Sequence, residues 1–116
     1  MEEIWKDIKG YEGYYQISNL GRVKSMGNRS NHKTEKLLSF NKNSKGYFRV
    51  ILYKERKYKS FFVHRLVAEY FIPNPLSLPQ VNHLDCDKAN NCWTNLEWCT
   101  NRENTIHSYK MRGVIR

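Results

Sequence analysis

Asn82 and His83 stand side by side in the chain, and Asn104 follows after "LDCDKANNCWTNLEWCTNRE". Together they offer two carboxamide oxygens and one imidazole. Carboxamide oxygens are hard ligands that suit magnesium, an ion that keeps coordination positions for water and phosphate oxygens. An imidazole titrates near neutral pH and can take a proton from water beside such an ion. If the fold brings the three groups together, the chemistry indicated is attack of water on a phosphate ester. A rival ligand set is His83 with Cys86, Cys92 and Cys99. Their C-x5-C-x6-C spacing lacks the C-x2-C pairs of common zinc knuckles, so a structural zinc is the less favoured reading and the thiols read as small, partly buried side chains.

The elements around these residues can be read from pattern. "QVNH" reads as a short strand, "LDCDKANNCWT" as an irregular loop, and "NLEWCT" as a second strand with Leu96 and Trp98 on one side. "TNRE" matches a capping box, with Thr100 as N-cap and Glu103 reaching back to it, so a helix is expected from Asn101 to about Arg112 with Gly113 as its C-terminal cap. This order would set the end of the first strand beside the first turn of the helix, joining Asn82 and His83 to Asn104 near a helix N-terminus that favours anions. His107 reads as an incidental neighbour, and His32 carries no signal.

Upstream, Val63, Leu66, Val67, Tyr70 and Phe71 form one stripe of an amphipathic helix that "IPNPLSLP" ends. His64 and Arg65 fall at its start and read chiefly as packing and surface groups, with a phosphate contact open to Arg65. Before it come two expected hairpins, "YYQISNLGRVKS" and "YFRVILYKERKYKSFFVH", separated by a polar loop over 26–46 with a short strand at "KLLSF". Trp5, Trp93 and Trp98 are expected to anchor a core. The fold class is α+β: N-terminal antiparallel hairpins, a helix, then a strand–strand–helix unit, with residues 1–60 as a basic β-rich module packed in one compact unit against 61–116.

The net charge of +9 is unevenly spread. Arg22 to Lys59 holds twelve lysines or arginines against Glu35 and Glu55, and the rest of the chain is about neutral. Such asymmetry suits a face that neutralises a polyanion and releases its counterions, although it also suits a solvated basic surface. A β-ribbon with cations on its outer side and tip can lie along a groove of DNA. The candidate contacts are Arg22, Lys24, Arg49, Lys54, Arg56, Lys57, Lys59 and Arg65. No apolar run approaches the roughly 18 residues of a membrane span, and Met1 is followed by Glu2 and Glu3 rather than a secretory leader. An intracellular, soluble protein is expected.

"VHRLVAEYFIPNP", "QVNHLDCDKANNCWTNLEWCTNREN" and "IWKDIKGYEGYYQISNLGRVKS" together carry a resemblance. The first two resemble the HNH nuclease motif of phage homing endonucleases, with its ββα-metal core, and the third is similar to the NUMOD-type module that often precedes it. The resemblance implies a DNA endonuclease in which His83 is the general base. It implies one divalent ion, Mg2+ or Mn2+, held by Asn82 and Asn104 at the leaving 3′ oxygen. Asn95 would brace the loop so that the His83 ring is oriented. The products would be 5′-phosphate and 3′-hydroxyl ends on double-stranded DNA, made by a monomer or homodimer in the cytoplasm of a bacterial host. Many relatives carry aspartate at the position of Asn82, which opens a role for Asp85 or Asp87, and often glycine at that of Cys86. The alternative is a DNA-binding protein of the same fold with weak or no activity.

Overall fold

The structure is a computed structural model that describes residues 2–27 and 35–103. Its first sheet has four antiparallel strands in the order β1 (Trp5–Asp7), β2 (Tyr15–Ser18), β3 (Val23–Ser25) and β4 (Lys36–Leu37). The turn between β2 and β3 uses Gly21 at φ +87°, a left-handed conformation that glycine adopts without steric cost. The second sheet joins β5 (Asn41–Lys42), β6 (Phe48–Lys54) and β7 (Lys57–Phe62). Its long hairpin turns on Glu55 and Arg56, both at positive φ as a two-residue type I′ turn requires.

The last residue of β7 runs straight into α1 (Val63–Phe71), whose N-cap Phe62 makes no side-chain capping bond. Packing holds this helix instead. Val63, Leu66, Val67 and Ala68 are all buried, and each large apolar side chain so buried contributes roughly 1.5–3 kcal/mol. The helix touches β2, β6, β7, β8 (Gln80–His83) and β9 (Leu96–Cys99), so it is the hub of the molecule. Ile8 just after β1, Ile17 and Val23 of the first sheet, Val50 and Leu52 of the second, and Val81 and Leu96 of the third close around it in one core.

β8 and β9 form a two-stranded hairpin with Gln80 opposite Cys99 and His83 opposite Leu96. A 3-10 turn, Trp93–Asn95, leads into β9. That turn carries Trp93 outward to 40 % exposure, so Trp93 is not the expected core anchor. Trp98 packs against the core and donates its indole N–H to the Ile72 carbonyl at 3.0 Å. At the end of β9 the expected capping box is present: Glu103 accepts from the Thr100 amide at 2.9 Å, and the Thr100 hydroxyl accepts from the Glu103 amide at 3.1 Å. A helical turn opens at 101–103. The rest of the expected helix, with Asn104, His107 and Gly113, lies outside the described residues, as does His32. Among the described residues no helix is long and apolar enough to cross a membrane.

Candidate functional site

His83 ends β8 and is 4 % exposed. Its Nε2 lies 2.7 Å from the Asn91 Oδ1. A carboxamide oxygen can only accept, so Nε2 carries the proton and Nδ1 is left as the basic nitrogen. The ring packs against His64 at 5.1 Å between centroids and against Tyr47 at 6.0 Å, and Tyr47 in turn stacks on His64 at 5.0 Å. Burial pushes the His83 pKa below the ordinary histidine value, against the Asn91 bond and the charges of Asp85 and Asp87, which pull it up. Burial, with His83 and Arg65 adding to it, pushes His64 down to about 3. Both imidazoles are therefore neutral at neutral pH.

Asn82 is equally buried at 4 % exposure, but side chains alternate along a strand, so it projects to the opposite face of the hairpin from His83. There its Nδ2 donates to Glu97 Oε1 at 3.0 Å, the residue directly across the ladder. Asn82 and His83 thus project to opposite faces of the ribbon, and the convergence expected with Asn104 lies outside the described residues. The register also corrects the expected placement of the helix. Its start follows Cys99, which pairs with Gln80, so the chain enters the helix beside the beginning of β8, roughly 10 Å along the strand from His83.

The loop between the strands explains its own composition. Asn95 donates from Nδ2 to Asp85 Oδ1 at 2.9 Å and to the Asn90 carbonyl at 2.9 Å, and its Oδ1 accepts from the Asp85 amide at 3.2 Å. Asp85 also accepts from the Asp87 amide and from Asn90 Nδ2, and these bonds hold its carboxyl below the usual range. Asp87 accepts from the Ala89 amide. Both aspartates are used in folding the loop, and the carboxylate bonded to Asn82 is Glu97. Cys86 adopts φ +60°, in the left-handed region that favours glycine.

The back of this loop leans on the first sheet. A Cβ placed on Gly21 would lie 2.8 Å from the Asn91 Cβ and 3.0 Å from its carbonyl oxygen. The Trp93 amide donates to the Asn19 carbonyl at 2.8 Å, and Lys88 reaches the Lys45 carbonyl at 2.7 Å while lying over the Tyr47 ring. Asn91 and Glu97 were not singled out by sequence. Pairing "QVNH" against "LEWC" would have faced Glu97 with Asn82, whereas no local signal ties Asn91 to His83.

The cations are more dispersed than expected. Lys54 shares a face of β6 with buried Val50 and Leu52, and the register puts Lys57 and Lys59 on that same face, where both are exposed toward the tip. Lys54 donates to the Gly10 carbonyl at 2.7 Å, and Lys59 lies over the Phe61 ring. Arg49 lies on the other face with Tyr53, which pairs with Tyr58 at 5.9 Å between rings, and Arg56 occupies the tip. Tyr53 and Tyr58 are exposed at 57 % and 73 %. Arg22 is engaged by Glu3, whose carboxyl it holds below the usual range, and Lys24 by Glu35 and the Trp5 ring. Arg65 donates to the Pro79 carbonyl at 3.0 Å and covers Trp98.

For a divalent ion, the donor chemistry near Asn82 fits. Its amide nitrogen is committed to Glu97, which turns the amide oxygen into the atom a cation would meet, and the nearby carboxylate adds a hard anionic oxygen.

Residues 3–53 match the NUMOD4 motif, and residues 61–106 match the HNH endonuclease family. DNA endonuclease I-HmuI of Bacillus phage SP01 is 43 % identical over 111 residues, covering 96 % of this chain and 60 % of that protein. The uncharacterized HNH endonuclease L245 of Acanthamoeba polyphaga mimivirus is 42 % identical over 90 % of this chain and 29 % of its own length. The H-N-H endonuclease F-TflII of Escherichia phage T5 is 35 % identical over 96 % of this chain and 55 % of its own. A solved structure of the HNH homing endonuclease I-HmuI, described for DNA binding and cleavage, superimposes with a TM-score of 0.77 at 42 % identity, covering 100 % of this chain and 62 % of that one. The chain therefore spans less than two thirds of the curated relatives it matches.

Proposed function

Because the chain belongs to the HNH endonuclease family, with a NUMOD4 motif ahead of the nuclease core, we propose that it hydrolyses phosphodiester bonds in double-stranded DNA. The observation that carries this reading is the His83–Asn91 bond, which holds a buried, neutral imidazole with its second nitrogen available as a base. In the proposed step His83 Nδ1 takes a proton from water as the water oxygen bonds to phosphorus. The bond from phosphorus to the 3′ oxygen breaks, and its electron pair leaves on that oxygen. For an in-line displacement the base would stand on the side of the attacking water and the Asn82 amide on the side of the leaving oxygen. Asn82 and Asn104 would hold one divalent ion, Mg2+ or Mn2+, whose charge stabilises the leaving oxygen when bound. Asn95 keeps the loop closed behind His83, and the cations from Arg22 to Arg65 hold the duplex.

Incubation of supercoiled plasmid with protein and Mg2+ or Mn2+ tests the reading. Nicked or linear product from the parent, abolished in His83→Ala with duplex binding retained, is the expected result. No product from the parent, or equal product from both proteins, would remove it. Asn82 favours a second reading, a DNA-binding protein of weak activity, since a neutral amide holds a dication less tightly than a carboxylate does. Plasmid bound but uncut at every metal concentration would select that reading.

A further inference from the structure

Position 82 carries an amide, and an amide differs from a carboxylate in two ways that matter to a cation. It lacks charge, and only one of its two polar atoms can be a ligand. The structure answers both deficits with one residue. Glu97 stands directly across the β8–β9 ladder from Asn82, on the same face, and its Oε1 accepts the Asn82 Nδ2 at 3.0 Å. A carboxylate cannot bond the oxygen end of the amide, so this contact decides which end is spent and leaves the oxygen for an ion. Glu97 is exposed, so water or a phosphate could reach the same place. Among the described residues the ion pairs are Arg22–Glu3 and Lys24–Glu35, and neither involves Glu97. Its negative charge therefore stays beside a buried amide in a chain of net charge +9.

We propose that Glu97 is the anionic member of the divalent-cation site, orienting the Asn82 amide and supplying the charge that position 82 lacks. The inference rests on the nuclease reading above and adds a residue to it.

Mn2+ binding to the full chain without DNA, followed by electron paramagnetic resonance, provides the test. Glu97→Gln keeps an oxygen that can accept from Asn82 and removes the charge. It should weaken Mn2+ binding by about 10-fold, and Glu97→Leu, which loses the acceptor as well, by about 100-fold, the range found when groups supporting a metal ligand are removed. Asn82→Asp in the Glu97→Gln background should restore affinity to within a few-fold of the parent. A purely structural role would lower the thermal midpoint, leave Mn2+ affinity unchanged in Glu97→Gln, and overturn the inference. Weakened binding that Asn82→Asp does not recover would overturn it too. A parent that binds no Mn2+ would remove the metal-dependent reading itself, a result separate from a parent that binds and a Glu97→Gln variant that matches it.

Discussion

The rings of His64 and His83 lie 5.1 Å apart between centroids, both buried, so protonation of each is opposed by lost water, and that of His64 by its neighbour as well. For His64 the folded value is about 3, well below the ordinary value of about 6.5 in an unfolded chain. Above pH 6.5 neither state takes up the proton, and stability is full. As pH falls from about 6.5 toward 3, the unfolded chain binds a proton that the folded one refuses, and stability is lost. At pH 5 the loss from this group is about 2 kcal/mol. Urea denaturation between pH 7 and 4 checks it, and His64→Phe should flatten the slope. For His83 the same direction of shift keeps the base neutral below its ordinary range, so nicking should persist to more acid pH than a free histidine allows. Asn91→Asp places a carboxylate on the Nε2 proton and should move the acid limb of the rate profile upward.

Gly21 and Gly10 share φ +87°, but only Gly21 has Asn91 against it, whereas nothing lies within 4 Å of a Cβ on Gly10. Gly10→Ala should cost about 1 kcal/mol from backbone conformation alone and leave nicking unchanged. Gly21→Ala adds overpacking against Asn91, for a total of about 2–4 kcal/mol, and should lower kcat more than it raises KM because Asn91 orients His83. Thermal melts and steady-state nicking rates separate the two variants.

Within the loop, Asn95→Ala removes three hydrogen bonds at a site that is 9 % exposed and should cost about 2–3 kcal/mol. Cys86→Gly relieves a left-handed cysteine and should gain about 0.5–1 kcal/mol. Chemical denaturation of both variants measures the opposite signs.

On the ribbon, Arg56 and Lys57 sit at and beside the tip, and both are exposed. Replacing both with alanine should weaken duplex binding irrespective of sequence and reduce the salt slope of the binding constant by about two. Lys54→Ala should act differently, through stability, because its ammonium bonds the Gly10 carbonyl. Binding isotherms at several salt concentrations distinguish these outcomes.

What could be read ahead of the fold was local. The stripe through Val63, Leu66 and Val67 gave α1 because one helical face had to meet a core, and Thr100 with Glu103 gave the helix start because both partners lie within one turn. "QVNH" and "NLEWCT" gave their strands for the same reason, the second shortened to Leu96–Cys99. Asn91 stayed hidden, since its value comes from a ring brought by another strand and from a distant glycine pressing behind it. Trp93 misled because large aromatic size argues for burial, while a 3-10 turn decided its direction. The division of the cations between the two faces of the ribbon was not legible, because one residue of offset in register moves a whole set of side chains through it.

The seam at Gly21 and Asn91 bears on how such genes can be rearranged. Swapping the leading half for that of a distant cousin would import a foreign turn beneath the histidine's bracket, so a chimera would be viable only where both sides of that joint travel together.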